Sequence, residues 1–249
     1  MTVNTEQTVR EIALGNPATI RIFETLGIDY CCGGRRPLAE ACASANVPVA
    51  KALELLSALG SEAKPVDEVD WSAASFEALI DHIVGHHHTY IRQEAPRLNQ
   101  LAHKVVSKHG PNHPELASIQ DLFSALSQEL SAHLLKEEQI LFPYLHRLEA
   151  ARTTGAELPP SCFDSVEMPI SRMLAEHDDA GALLARLRAL SDNFQAPPEA
   201  CPSFLGLYQG LEDFERDLHH HIHLENNILF PRAIQLDHEV NCHPVSSAK

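Results

Sequence analysis

His133-Leu-Leu-Lys-Glu137-Glu-Gln-Ile-Leu-Phe-Pro143 returns 88 residues later as His221-Ile-His-Leu-Glu225-Asn-Asn-Ile-Leu-Phe-Pro231. Each copy sets a His and a Glu four residues apart, one helical turn from each other on a shared face. An imidazole and a carboxylate so placed make half of a transition-metal site, and two copies predict a two-metal centre. A second pair, His88 and His177, stands 89 residues apart and precedes the two phrases by 45 and 44 residues. That near-constant gap fits a two-helix hairpin. One His lies on the outgoing helix, and the returning helix brings His-x3-Glu to the same level. Two hairpins make an up-down four-helix bundle with four His and two Glu inside, as facing helices of bundles build metal sites.

Periodicity sorts the other positions. On the last helix Leu207, Leu211, Phe214, Leu218, His221, Glu225 and Ile228 form one inward stripe, whereas His219, His220 and His223 neighbour Glu215, Arg216, Asp217 and Asn226 and read as a solvent face. Ile119, Phe123, Leu126, Leu130, His133, Glu137 and Ile140 form the matching stripe on the second helix. Val166, Ile170, Met173, His177 and Leu184 do so on the third. In the run His86-His87-His88 all three rings could meet apolar neighbours, and the hairpin spacing selects His88. A lone His on an apolar face is more often a hydrogen-bonded core residue than a ligand. Four imidazoles and two carboxylates at matched depth, with almost no Lys or Arg on their stripes, call for a cation. Nitrogen and oxygen donors without thiolate suit two iron ions, with manganese as the other candidate. The zinc-hydrolase pattern H-E-x-x-H and the ferritin-like Glu-x-x-His pairing are both absent.

The 249-residue chain carries a formal charge of −15, which argues against nucleic acid or an anionic membrane as partner. No apolar run approaches the ~20 residues that span a bilayer. The polar start Met1-Thr-Val-Asn-Thr-Glu-Gln lacks the pattern of a signal peptide, so a cytoplasmic protein is expected. Six cysteines without a C-x2-C pair exclude a zinc ribbon and are expected as free thiols in a reducing cytoplasm. Residues 1–62 read as a small helical domain. One helix opens at Asn16-Pro17 and closes at Gly27; a loop bearing Cys31-Cys32-Gly-Gly34 follows, then helices from Pro37 and Pro48. A polar linker is expected at 63–72. The bundle at 73–236 comprises helices over 73–108 (interrupted before Pro96), from Pro114 past Pro143, over 163–193 and over 202–235. Pro143 and Pro231 are expected to bend their helices below the site. A loop is placed at 153–162 and a frayed polar tail at 237–249. The fold class is all-α.

The His, His-x3-Glu, His, His-x3-Glu series resembles the hemerythrin-like family. His-x3-Glu-Glu-Gln-Ile-Leu-Phe-Pro, Glu176-His177-Asp178 and Leu224-Glu-Asn-Asn-Ile-Leu-Phe-Pro231, with Asp29-Tyr-Cys-Cys-Gly-Gly34 in a short leading domain, resemble the iron-sulfur cluster repair di-iron proteins (the RIC family). The resemblance implies two non-haem irons held by His88, His133, Glu137, His177, His221 and Glu225, with both Glu residues bridging. It also implies a ligand at His109, 21 positions after the first and without a counterpart in the second half, where position 198 is Pro. Oxygen carriers of the wider family have a second His four residues after the third-helix ligand, where this chain has Gly181. An exchangeable iron position follows, favouring NO, peroxide or transferable iron over O2 storage.

The implied function is repair of clusters in iron-sulfur proteins damaged by nitric oxide or oxidants, by iron donation. A homodimer is compatible with it. Trapping of nitric oxide at the ferrous centre, or reduction of NO or peroxide there, are the alternatives. Cys31 and Cys32 are too close in sequence for an unstrained mutual disulfide. They read either as a thiol pair engaging iron, a cluster protein or a redox partner, or as a tight turn whose small thiols pack.

Overall fold

The computed structural model describes residues 3–59, 70–155, 163 and 165–242, and among these it contains helices and one isolated β-bridge. The expected linker at 63–72 and loop at 153–162 fall largely outside the described residues. Contacts divide the chain into two units, Met1–Ser75 with His219–Pro231, and Phe76–Leu218 with Arg232–Lys249. One long helix, 202–242, runs through both without a break.

In the first unit four short helices, α1 (Val9–Gly15), α2 (Thr19–Leu26), α3 (Leu38–Ser44) and α4 (Val49–Ala58), enclose Val9, Ile12, Phe23, Ile28, Tyr30, Leu38, Cys42 and Leu56. Helix α1 has no counterpart in the sequence reading, although its capping box is written in Thr8-x-x-Glu11: Glu11 N–H donates to Thr8 Oγ1 and Thr8 N–H to Glu11. Gly27 ends α2 at φ +65°, a left-handed cap open to glycine. The Asp29 carboxylate gathers the next loop, accepting from the N–H groups of Cys31, Cys32 and Gly33.

The same unit ties that loop to residues 219–231. Asn227 Nδ2 donates to the Tyr30 carbonyl at 3.0 Å and to His223 Nδ1 at 2.9 Å. Asn226 Nδ2 donates to the Cys31 carbonyl at 3.4 Å. Pro231 has no N–H for the Asn227 carbonyl four residues back; Arg10 Nη2 donates to that oxygen at 2.8 Å. His223, expected on a solvent face, is buried against the Tyr30 ring, and burial pushes its pKa down to about 3. Asn226 is buried here too.

The second unit is built on α5 (76–109), α6 (115–154), α7 (167–190) and the flanks of α8 (202–242). Helix α5 begins at Phe76 rather than 73, because the Glu149 carboxylate of α6 accepts from the Phe76 N–H at 2.8 Å and so caps it. Pro96 does not interrupt it: Ile91, Ala95, Leu98, Ala102 and Val105 stay buried on one face, and packing outweighs the one lost backbone bond. Helix α8 approaches α5 closely at Gly210, where a Cβ would lie 2.5 Å from Leu98 Cδ2. Phe214 meets Phe123 edge-on at 5.1 Å. Glu215, expected on the solvent face, is buried and paired with Arg188. Residues 237–242 continue α8 instead of fraying, since buried Asp237 accepts from the Tyr144 hydroxyl and from Val166 N–H.

Three of the long helices widen to π geometry, at Ile83–His88, Glu137–Leu141 and Leu224–Leu229. Phe142 N–H reaches back five residues to the Glu137 carbonyl, and Phe230 N–H to that of Glu225. In these two the proline that follows, Pro143 or Pro231, forbids the ordinary bond four residues back, so the wide turn replaces the expected bend. The inserted residue rotates the helix face by about 100°, which explains why Ile140, expected inside, is 44% exposed while Leu141 is buried.

Asn227→Ala removes both amide donations and is expected to destabilise the fold by about 1–3 kcal/mol, with faster alkylation of Cys31. Denaturant unfolding and thiol-labelling rates measure the two effects.

Candidate metal centre

The wide turns carry His88, Glu137 and Glu225, while His133 and His221 lie one turn before two of them and His177 lies on α7. Glu137, Glu225, His88 and His221 are fully buried, and His133 and His177 nearly so. Glu137 lies between two rings, with Oε2 3.5 Å from His88 Nε2 and Oε1 3.2 Å from His133 Nε2. His221 Nε2 stands 3.2 Å from Glu225 Oε2. Two ligand groups result, His88, Glu137, His221 and Glu225, and His133, Glu137, His177 and Glu225, with the donor atoms of each within 4.8 Å of one another. Glu137 and Glu225 belong to both.

Outer carboxylates orient two of the rings, and the sequence reading did not identify them. His88 Nδ1 donates to Glu138 at 2.6 Å, and Arg92 binds the same carboxylate. His133 Nδ1 donates to Glu176 at 2.9 Å, a carboxylate also held by Lys136 and Arg172. With the proton on Nδ1, each Nε2 turns a lone pair inward, the arrangement that fixes a metal-ligating imidazole. Burial works against the Glu176 carboxylate, but the hydrogen bonds from Lys136, His133 and Arg172 bring its pKa down to about 2. Glu138 is likewise held low by His88 and Arg92 against its burial. The available signal was position: Glu138 follows Glu137 and Glu176 precedes His177.

The donor set fits a cation. Two buried carboxylates face four imidazoles, and the Nε2 atoms of His133 and His177 face each other at 3.0 Å. Two lone pairs do not meet at that distance without a proton or a metal ion between them. Four nitrogens, two carboxylates and no thiolate suit iron.

His109 lies elsewhere. It ends the helical run Thr89–His109 and contacts Cys201 Sγ at 3.2 Å and the Phe204 ring. At 1.5 Å per residue, 21 helical residues carry it about 30 Å from His88. His87 is buried and pairs with Asp217 at 2.9 Å. Cys31 and Cys32 are free thiols with sulfurs 3.7 Å apart, and together with Asp29 they form a further group of metal-capable donors.

Comparison with known proteins agrees with this geometry. The hemerythrin HHE cation binding domain matches residues 79–233, and the ScdA_N domain, of unknown function, matches residues 5–60. A probable iron-sulfur cluster repair protein of Haemophilus influenzae is 36% identical over 92% of this chain and 97% of its own length. The chain belongs to the hemerythrin-like iron-sulfur cluster repair family. Relatives called iron-sulfur cluster repair protein YtfE, from Citrobacter koseri and Salmonella paratyphi B, are 37% and 38% identical with the same coverage. The hemerythrin match runs unbroken through residues 219–231, so His221 and Glu225 belong to the same family domain as His88, His133, Glu137 and His177.

Within the family domain, Glu225→Ala is expected to abolish most iron uptake, whereas His109→Ala leaves it unchanged. Metal analysis after anaerobic purification distinguishes them, and parallel loss in both variants would return His109 to the ligand set.

Proposed function

We propose that this protein restores damaged iron-sulfur clusters, and that Glu137 and Glu225 with four histidines would hold two non-haem irons. The observation that supports the reading is the sharing of both carboxylates between two ligand groups. His88 and His221 would complete one position, His133 and His177 the other. Iron bound there would supply a transferable ion and an open position for a small molecule such as nitric oxide. Glu138 and Glu176 keep the His88 and His133 rings aimed inward, and Gly181 adds no donor on the third helix. The iron-sulfur proteins served are the partners. The relatives' names favour repair over nitric oxide trapping or reduction. Among the described residues no helix is long and apolar enough to cross a membrane, and the site of action is taken to be the cytoplasm.

Two measurements test this. Iron-loaded protein is expected to reactivate a nitrosylated cluster enzyme, with Cys31→Ser/Cys32→Ser weakening the effect. Stoichiometric nitrosyl formation without reactivation would favour trapping instead. Iron analysis is expected to give about two ions per chain, since each ligand group closes on one ion. Removing the iron with a chelator should lower the thermal midpoint, because the buried carboxylates lose their counter-charge.

A further inference from the structure

The run His86-His87-His88 supplies more than one buried ligand. His88 points into the centre, and its two predecessors converge with Asp217 of α8 on the outer side. His87 Nδ1 lies 2.9 Å from Asp217 Oδ1, and His86 Nε2 lies 4.0 Å from the same oxygen. The donor atoms of these three residues fall within 4.8 Å of one another. Ligands about 2.1 Å from a tetrahedral ion are roughly 3.4 Å apart, so small side-chain rotations suffice to close the set. The exposures grade outward: the His87 side chain is 1% exposed, Asp217 14% and His86 65%. His82 stacks on the His86 ring with planes 7° apart and meets His87 edge-on, closing one side of the cluster.

We propose that His86, His87 and Asp217 form a second, solvent-facing site for a divalent transition-metal ion. Two imidazoles and a carboxylate match borderline cations such as ferrous iron, cobalt or zinc, and leave coordination positions for water. On binding, Nδ1 of a neutral His87 gives its lone pair to the ion and the ring proton is carried on Nε2, so the ligand stays a neutral imidazole. A lone buried His–Asp pair explains His87 and Asp217. It does not explain why exposed His86 also turns its Nε2 toward the same oxygen. Consecutive residues, His87 and His88, then face an outer and an inner metal position. The outer one serves as a staging point for iron moving to or from the buried ligands. That use rests on the iron-donor reading, whereas the site itself does not.

The test uses the full chain with its buried site already loaded with iron. Titration with cobalt(II), followed by its visible absorption and by calorimetry, is expected to reveal one further ion per chain. His86→Ala and Asp217→Asn are each expected to weaken that binding by at least about tenfold, the lower end of what even an outer partner of a metal ligand contributes. Iron content should stay unchanged. Absence of a further ion in the unaltered protein, or equal binding in both variants, overturns the site. Iron release to a chromogenic chelator is expected to slow in the variants. Unchanged release with the outer ion lost would overturn the staging role. Neither readout involves cluster reactivation, so the outcome is independent of whether repair is the protein's task.

Discussion

The whole arrangement turns on two carboxylates with no exposure to water. Burying Glu137 and Glu225 is unfavourable unless positive charge comes with them. The surrounding choices answer that demand. Four imidazoles face the carboxylates, the outer Glu138 and Glu176 fix the proton position on two of those rings, and Arg92, Lys136 and Arg172 balance the outer acids from the surface. Charge alternates outward in layers: carboxylate, imidazole, carboxylate, cation at the surface.

The helices are fitted to that purpose at some expense of regularity. In α6 and α8 the wide turn starts at or beside the buried Glu and ends before a proline. The missing proline N–H and the widened turn are one event, since a carbonyl that loses its partner four residues on can lean outward. Each Glu therefore sits where the helix is locally unwound, and its backbone is set by the same defect that places its side chain.

Much of this was legible in the residues, and the failures share a cause. A repeat of His-x3-Glu at matched distances from two further histidines fixes which faces meet, so His88, His133, Glu137, His177, His221 and Glu225 could be found by spacing. Ile140 could not, because an inserted residue in a π turn breaks the 3.6-residue period. His223, Glu215 and Asn226 looked like surface by their polarity; their partners, Asn227 and Tyr30, Arg188, and Cys31, lie far away in sequence or offer no pattern to read. Asp237 misled in the same way, since its Tyr144 partner is 93 residues distant. His109 rested on resemblance alone, and helical rise carries it away from the cluster.

Pro231 leaves the Asn227 carbonyl without a donor on its own helix, and Arg10 fills the vacancy. The helix therefore carries an acceptor, and beside it an amide, whose partners are encoded two hundred residues earlier. Recombination that joined this helix to a different leading segment would deliver it with those groups facing water. The small leading domain and residues 219–231 of the last helix form a single heritable unit, divided in the gene but complete only in the folded chain.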